Sequence, residues 1–226
     1  MDPVIFTPRL KLIFLAKAER GSPEFEWLNE LHSNEKSTWW SIHGRAKSVE
    51  DSEKVMKGYL PTKEGEKTYR VAYAVHEILQ SNESQSAEQQ GKSTRFIGLI
   101  TVKSLGTSSL ALPENFTIPA AAATTTLTVE IAYTFLPIGW GKGYATESVV
   151  AVFESCKRAV AFWTPFSKLY VRAMVNADNP ASRRVMDKSG MINKGLYEFT
   201  TDRGIFLAGE WREQHSLHIF GMYLLE

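Results

Sequence analysis

One segment in the second half of the chain changes its hydrophobic pattern abruptly. An apolar and β-branched run over residues 127–136 stops at Pro137, and three alternating glycines follow before a helix-like pattern begins. A strand, a glycine turn and a helix N-terminus in this order predict an anion site, because the first N–H groups of a helix lack partners and the helix dipole favours negative charge. Glycine also lets a bulky group approach the backbone. The segment therefore predicts a phosphate-bearing ligand.

Strand and helix patterns alternate along the rest of the chain. Strands are predicted at residues 9–15, 69–79, 95–105, 168–176, 195–201 and 218–225, the second and third as an antiparallel pair. Helices are predicted after Ser22 and Ser48, over 145–160, and from Asn179 to a stop at Gly190. Paired strands come early and β–α–β–α units later. The predicted fold class is α/β with a mixed, largely antiparallel sheet.

Length and composition indicate a single domain over 1–226 with two hairpin insertions. The chain has 226 residues, and its 43% hydrophobic content is enough for one sizeable core. An insertion near 80–94 has almost no apolar residues and is expected to be a solvated, mobile hairpin extension. A second insertion near 106–126 is less polar. It either covers a binding site or forms a disordered hairpin tip.

Charge and cysteine content argue against several functional classes. The formal net charge of +1 carries no global signature of nucleic-acid or membrane binding. No secretory signal and no membrane-spanning stretch are expected. The one cysteine, Cys156, shares the apolar face of helix 145–160 with residues up to Val160, so a core thiol is predicted. We expect a cytoplasmic monomer or homodimer with no bound metal, nucleic acid or membrane.

Two common phosphate-binding motifs do not fit the glycine turn. A dinucleotide fingerprint needs glycine at relative positions one, three and six. The sixth position from Gly139 is Tyr144, and a start at Gly141 fails as well. A P-loop needs Gly-Lys followed by Ser or Thr, whereas Lys142 precedes Gly143. What remains is the spacing x-x-x-Gly-x-Gly, beginning one residue before Gly139.

This spacing resembles the acetyl-CoA pyrophosphate loop of the GNAT acetyltransferase superfamily, most closely its RimJ/RimL-like branch. Residues 135–147 match that branch's Leu-Pro-like pair and Gly-Lys-Gly-Tyr-Ala-Thr-Glu run almost throughout. A second block, Asn179-x-x-Ser182 with a Lys-x-Gly ending, follows one helix and one strand later, as in the family. The resemblance covers 128–191. It implies a GNAT fold, acetyl-CoA as co-substrate, and direct acetyl transfer to a primary amine of a small molecule or a protein N-terminus.

The resemblance also implies a donor site made mainly of backbone groups. Ile138 stands where the superfamily often has Gln or Arg, so no polar side chain is expected there. Asn179 is expected to serve mainly as an N-cap. The cofactor-binding residues that the resemblance implies are Phe135, Leu136, Trp140, Gly141, Lys142, Gly143, Tyr144, Ala145, Thr146, Asn179 and Ser182.

Acetyl transfer needs a neutral amine, a donor for the oxyanion and a stabilised leaving thiolate. Glu130 is the leading base, in a strand where it points away from the face of Val129 and Ile131. A structural ion pair is the competing interpretation. Many GNAT enzymes use a tyrosine acid in the helix after the second block, but the matching position here is Met186. The resemblance instead offers Ser182 as the group that hydrogen-bonds the CoA thiolate.

Several alternatives stay open. A GNAT-fold acyl-CoA-binding module without turnover is the second hypothesis, and another phosphate-binding enzyme such as a nucleotide kinase is the third. Glu210, His215 and His218 are further candidates for the base, in a region that borders the acceptor pocket in this branch. Four aromatic residues are either acceptor-pocket or core residues: Trp39, Trp40, Tyr133 and Trp211.

Overall fold

One eight-stranded sheet organises the chain. The computed structural model describes residues 1–61, 68–79, 93–107 and 109–226. The strands in these ranges are β1 Val4–Phe6, β2 Leu10–Phe14, β3 Arg70–Ile78, β4 Thr94–Ser104, β5 Thr126–Phe135, β6 Lys168–Asn176, β7 Ile192–Leu207 and β8 Glu210–Leu225. The helices are α1 Pro23–Ser33, α2 Val49–Lys57, α3 Tyr144–Arg158, α4 Val160–Trp163 and α5 Pro180–Lys188.

The strand order is β1-β2-β3-β4-β5-β6-β8-β7, and every neighbouring pair is antiparallel except β5 with β6. This confirms the mixed, largely antiparallel sheet. The parallel pair needs a crossover, which α3 and α4 supply. Pairing of β5 with β6 ends at Glu130 and Arg172, although both strands continue. The two strands therefore part, and we call the space between their C-terminal halves the β5–β6 gap.

Hydrophobic layers cover both faces of the sheet. One face packs against α3 and α5, which bury residues such as Val149, Phe153 and Met186. The other packs against α1 and α2, which bury Leu28, Leu31 and Met56 among others. Alternate side chains of β5, among them Val129, Ile131 and Phe135, lie in the first of these layers, and the residues between them point to the opposite face of the sheet.

Helix α3 confirms the predicted core thiol but ends earlier than predicted. Cys156 is fully buried, and burial raises its pKa to about 12. The assignment of Val160 to the same apolar face was wrong, because Val160 is 56% exposed. The physical reason is that α3 stops at Arg158, and Val160 begins the separate short helix α4.

The predicted helix starts are confirmed by their caps. Ser22 and Ser48 accept hydrogen bonds from backbone N–H groups three residues later, and Asn179 does the same for Ser182. Gly190 follows α5 with a φ of 82°. These signals depend only on residues within one helical turn. Local chemistry alone therefore placed these helix ends.

The C-terminal hairpin differs most from the prediction. Strands β7 and β8 have 16 residues each, whereas two short strands were predicted at 195–201 and 218–225. Much of β7 is exposed, so its outer half lacks the buried alternation that marks a strand in a sequence. Strand β1 was not predicted. No helix among the described residues is long and apolar enough to cross a membrane.

The two predicted insertions differ in how far they are described. Residues 80–92 lie outside the described residues. The second insertion contains two 3-10 turns, Glu114–Phe116 and Ala120–Ala122. Phe116 is 9% exposed and lies against the Tyr197 ring of β7, with centroids 6.0 Å apart. This segment therefore packs across the sheet face that carries Tyr197.

Candidate active site

The β5–β6 gap presents backbone groups of β5. The Leu136 N–H donates to the Ile97 carbonyl at 2.9 Å. Antiparallel alternation then turns the N–H and C=O groups of Tyr133 and Phe135 away from β4. Because β6 has already left β5, these groups face the gap. The Trp140 indole donates to the Phe135 carbonyl at 2.8 Å, which leaves the Phe135 N–H as a donor directed into the gap.

Further donors converge where the glycine turn meets α3. Gly141 and Gly143 have φ angles of 72° and 80°, which glycine adopts without penalty. No described atom beyond its chain neighbours lies within 4 Å of the Cβ position of Gly141. The N–H groups of 144–146 begin α3 and have no carbonyl partner within it. The Trp140 N–H, by contrast, is used inside the turn. Free donors beside open space fit a pyrophosphate.

A carboxylate on β3 holds the turn from one side. Glu77 accepts hydrogen bonds from Lys142 at 3.2 Å, from the Tyr144 hydroxyl at 2.7 Å, and from Arg95. Burial opposes ionisation of Glu77, but the hydrogen bonds from Arg95, Tyr144 and Lys142 outweigh it and lower its pKa to about 2. The Lys142 ammonium is therefore engaged by the protein itself. Sequence reasoning missed Glu77, which no motif marks.

The N-terminal segment holds the turn from the other side. Arg9 donates to the Lys142 carbonyl at 2.9 Å and forms an ion pair with Glu147. Its guanidinium also lies 4.8 Å from the centre of the Tyr144 ring. The Thr7 hydroxyl donates to the same Glu147 carboxylate at 2.6 Å. Sequence reasoning did not find Arg9, although the acidic residue at the end of the glycine motif was a sign that a cation would be near.

Glu130 lies at the base of the gap, paired with a buried arginine. Arg172 donates through Nε and Nη2 to the Glu130 Oε2 at 3.1 and 3.0 Å, and it also donates to the Leu110 carbonyl at 3.1 Å. The Arg172 side chain is only 4% exposed. Val129 and Ile131 lie in the opposite layer, so the predicted orientation of Glu130 is confirmed. This ion pair fits the competing interpretation that Glu130 is structural, and the role of Glu130 as the base stays a prediction.

Helix α5 brings Ser182 to β5 from the opposite face of the sheet. Asn179 accepts the Ser182 N–H at 3.0 Å, which confirms its predicted capping role. The Ser182 Oγ lies 2.6 Å from the Tyr133 hydroxyl, and that hydroxyl also donates to the Ser182 carbonyl at 3.1 Å. Met186 is fully buried in the core. The contact between Tyr133 and Ser182 was not foreseen, because no sequence signal specifies how α5 docks on β5.

The other candidate bases have partners of their own. Glu210 pairs with Arg212 at 2.6 Å near the end of the hairpin. His215 is buried and stacks on the Phe199 ring, with centroids 4.9 Å apart. His218 lies on β8, opposite Val175 of β6 on one side and Leu196 of β7 on the other. None of the three has a described contact with Glu130 or with the glycine turn.

The other aromatic candidates gather at the far end of the hairpin. The Trp39 carbonyl accepts the Ala208 N–H at 2.9 Å, and Arg212 lies 5.9 Å from the Trp40 ring centre. Trp211 is 72% exposed. These residues connect the segment after α1 to the end of the hairpin.

Comparison with known proteins agrees with this geometry. A family model described as an acetyltransferase (GNAT) domain matches residues 15–192, which include β5, the glycine turn, α3 and α5. No curated protein matches the chain.

Solved structures share the fold at low identity. A GNAT-family acetyltransferase from Bacillus anthracis is 18% identical, with a TM-score of 0.56 and 98% of both chains covered. A spermidine N-acetyltransferase from Vibrio cholerae, crystallised with CoA and spermine, is 14% identical with a TM-score of 0.56, over 94% of this chain and 95% of that one. These likenesses show the fold alone. The family match over most of its length shows that the chain belongs to the GNAT acetyltransferase domain family.

Proposed function

We propose that this protein is an acetyl-CoA-dependent N-acetyltransferase that moves the acetyl group directly to a primary amine. The observation that carries the proposal is the β5–β6 gap, which leads to the glycine turn and the N-terminus of α3. Donors along this path suit, in order, a pantetheine amide and a pyrophosphate. The Vibrio cholerae enzyme of the same fold was crystallised with CoA, which supports the choice of donor.

The predicted cofactor residues divide into donors and supports. Backbone groups of Phe135 and of residues 141–146 are the proposed donors. The Leu136 N–H is already bonded to β4 and the Trp140 N–H lies within the turn, so these two residues shape the site instead. Lys142 acts mainly through its backbone, because Glu77 holds its ammonium.

Residues on the two faces of the sheet have different roles in the proposed reaction. The amine nitrogen bonds to the acetyl carbon as the carbon–sulfur bond breaks, and that electron pair leaves with sulfur. The nitrogen loses one proton and the sulfur gains one. Glu130 is the proposed acceptor of the amine proton on one face, and Ser182 stabilises the thiolate on the other. Direct transfer needs no cysteine nucleophile, and Cys156 is buried.

We place the chain in the RimJ/RimL-like branch, as a single domain with insertions near 80–94 and 106–126. The second insertion contacts Arg172 through the Leu110 carbonyl. It thus forms a wall beside Glu130. Glu130 is paired with Arg172, and Lys103 occupies the facing position on β4, so among the described residues Glu130 is not a free carboxylate for a polycation. We therefore favour a protein N-terminus or a small monoamine over a polyamine as the acceptor.

Binding and turnover with an amine panel test the proposal. Calorimetry with acetyl-CoA measures binding, and a thiol reagent measures CoA release with N-terminally free peptides, amino acids, small monoamines and spermidine. We expect binding and release with at least one peptide or monoamine. The same peptides blocked at the N-terminus serve as the control. Protein that neither binds acetyl-CoA nor releases CoA contradicts the proposal, and turnover confined to spermidine contradicts the acceptor class.

A binding module without turnover is the second candidate, favoured by Met186 at the usual acid position and by the ion pair at Glu130. Glu130→Gln is expected to lower turnover at least tenfold if Glu130 is the base. Since it also leaves Arg172 buried without its partner, the double variant Glu130→Gln/Arg172→Met is the control. If Glu130 is the base, the double variant stays inactive. If the pair of Glu130 and Arg172 is purely structural, the double variant recovers turnover.

A further inference from the structure

We propose that Tyr133 is a positioning residue that directs the Ser182 hydroxyl hydrogen toward the sulfur of bound CoA. The inference deepens the proposed function and rests on it. The two hydroxyl oxygens lie 2.6 Å apart, at the short end of the range for O–H···O hydrogen bonds. The contact joins β5 to α5 across the face where the thiolate is expected.

The count of hydrogens limits what this pair can do. Each hydroxyl carries one hydrogen, and the Tyr133 hydroxyl lies 3.1 Å from the Ser182 carbonyl as well. When Tyr133 donates to that carbonyl, Ser182 donates to Tyr133 and has no hydrogen for a ligand. When Tyr133 donates to the Ser182 Oγ instead, the serine hydrogen turns outward. A thiolate selects the second arrangement, because only this one provides a charge-assisted hydrogen bond to sulfur.

Tyr133 itself is a poor proton source for this step. Burial raises the pKa of Tyr133 to about 12, although the Ser182 contact opposes the shift. The CoA thiol has a pKa of about 8.5, like free cysteine. Moving the tyrosine proton to the thiolate is therefore unfavourable by more than about a thousandfold. Tyr133 keeps its proton and acts through Ser182, and the sulfur takes its proton from solvent.

Neighbouring contacts fix both hydroxyls in place. Asn179 caps α5 through the Ser182 N–H, and Met186 anchors the same helix in the core with no exposed surface. The Tyr133 ring packs edge-on against Phe135, with centroids 6.4 Å apart. Preorganised donors stabilise a developing charge without reorganisation. The pair thus offers a way to stabilise the thiolate in a chain whose usual tyrosine position holds methionine.

The pKa of the thiol in bound CoA is the measurement that tests the inference, and it needs no knowledge of the acceptor. The thiolate is followed by its ultraviolet absorbance across pH, with desulfo-CoA bound to the same protein as the reference. A directed O–H donor favours the charged form, so the wild type lowers the thiol pKa relative to free CoA. We expect Tyr133→Phe to reduce the ratio of thiolate to thiol about threefold at a fixed pH.

Four further variants make the result specific to the contact between Tyr133 and Ser182. Ser182→Ala is expected to reduce the ratio at least as much, and Tyr133→Phe/Ser182→Ala to match Ser182→Ala alone, because Tyr133 acts only through Ser182. Ser182→Thr retains the hydroxyl and the wild-type ratio. Tyr170→Phe is the matched control, since Tyr170 is another buried strand tyrosine, on the opposite face from the core residues Val171 and Ala173.

The outcomes separate the inference from the proposed function. A wild-type thiol pKa in Tyr133→Phe with CoA still bound, or additive losses in the double variant, would overturn the positioning role and leave the acetyltransferase intact. Failure of the wild type to bind CoA refutes the proposed function itself. Once an acceptor is known, Tyr133→Phe should lower kcat about fivefold and leave the KM for acetyl-CoA within twofold. If Tyr133→Phe does not fold, Tyr133→Leu removes the same hydroxyl and is judged by the same ratio.

Discussion

Two histidines are held neutral inside the protein. His32 and His76 are 7% and 3% exposed, and burial, the main cause, lowers the pKa of each to about 4. The Nδ1 of His32 and the Nε2 of His76 have no hydrogen-bond partner in the described part of the chain. His76 packs against Trp27 and Phe96, with ring centroids 4.4 and 5.6 Å away. Protonation places a charge in an apolar layer.

We therefore expect stability to fall as the pH drops from about 6.5 toward 4. An unfolded histidine titrates near 6.5, so between these values the unfolded chain binds more protons than the folded one. Each neutral histidine contributes fully to the free energy of unfolding above pH 6.5. This contribution falls by up to about 3 kcal/mol for each histidine by pH 4. Urea unfolding at pH 7.5 and 4.5 measures the loss. His76→Phe keeps an aromatic ring and should reduce the loss by roughly 2 kcal/mol. A loss of unfolding free energy between the two pH values that is as large in His76→Phe as in the wild type would contradict this.

The glycine turn is held by elements that lie far away in the chain. Arg9, just before β2, reaches the Lys142 carbonyl and Glu147, whereas Glu77 on β3 holds the Lys142 ammonium. The turn itself supplies the positive φ angles, but these strands decide where it lies relative to α3.

Arg9→Ala should weaken CoA binding about fivefold, because the turn loses a hydrogen bond and an ion pair that together contribute roughly 1 kcal/mol. Titration calorimetry with CoA measures the effect. Arg20→Ala is the matched control, since Arg20 is also a half-exposed arginine that forms ion pairs with carboxylates, those of Glu50 and Glu53, but away from the turn. Equal affinities for the two variants would show that Arg9 does not support the turn.

The long β7–β8 hairpin contacts a segment that lies far from it in the sequence. The turn between β7 and β8 lies against the segment after α1, where the Ala208 N–H meets the Trp39 carbonyl. Gly209 has a φ of 85°, and a Cβ atom there would come within 2.7 Å of the Trp39 ring. Gly204 in the same hairpin has a φ of 59°, but its nearest atom is 3.4 Å away.

Substitutions at these two glycines measure how much the contact between the hairpin turn and Trp39 stabilises the protein. Gly204→Ala adds only backbone strain, about 1 kcal/mol, whereas Gly209→Ala adds the same strain and displaces Trp39. We expect Gly209→Ala to lower the free energy of unfolding by about 1 to 2 kcal/mol more than Gly204→Ala. Urea unfolding gives both values, and CoA affinity should stay unchanged in both variants. Equal losses would mean that the hairpin end does not stabilise the molecule through Trp39.

Predictions from local patterns were the most successful. Strand β6 has the predicted bounds, and the caps at Ser22, Ser48 and Asn179 start helices as predicted. Capping and hydrophobic spacing act over a few residues, so the chain carries them wherever it folds. The outer half of the hairpin was missed, because a strand pair exposed to solvent needs no apolar alternation. Val160 was wrongly assigned to the buried face of α3, because α3 ends two residues before it.

Local sequence was enough to specify the fold class, the family resemblance and the backbone donors of the glycine turn, since glycine spacing and a helix N-terminus are local properties. Only the tertiary structure brought Tyr133 to Ser182, 49 residues away, Glu130 to Arg172, 42 away, and Arg9 to Glu147, 138 away. These contacts depend on strand order and register. A shift of one residue in β5 would exchange the faces of Glu130 and its neighbours, and no motif within the strand specifies that register.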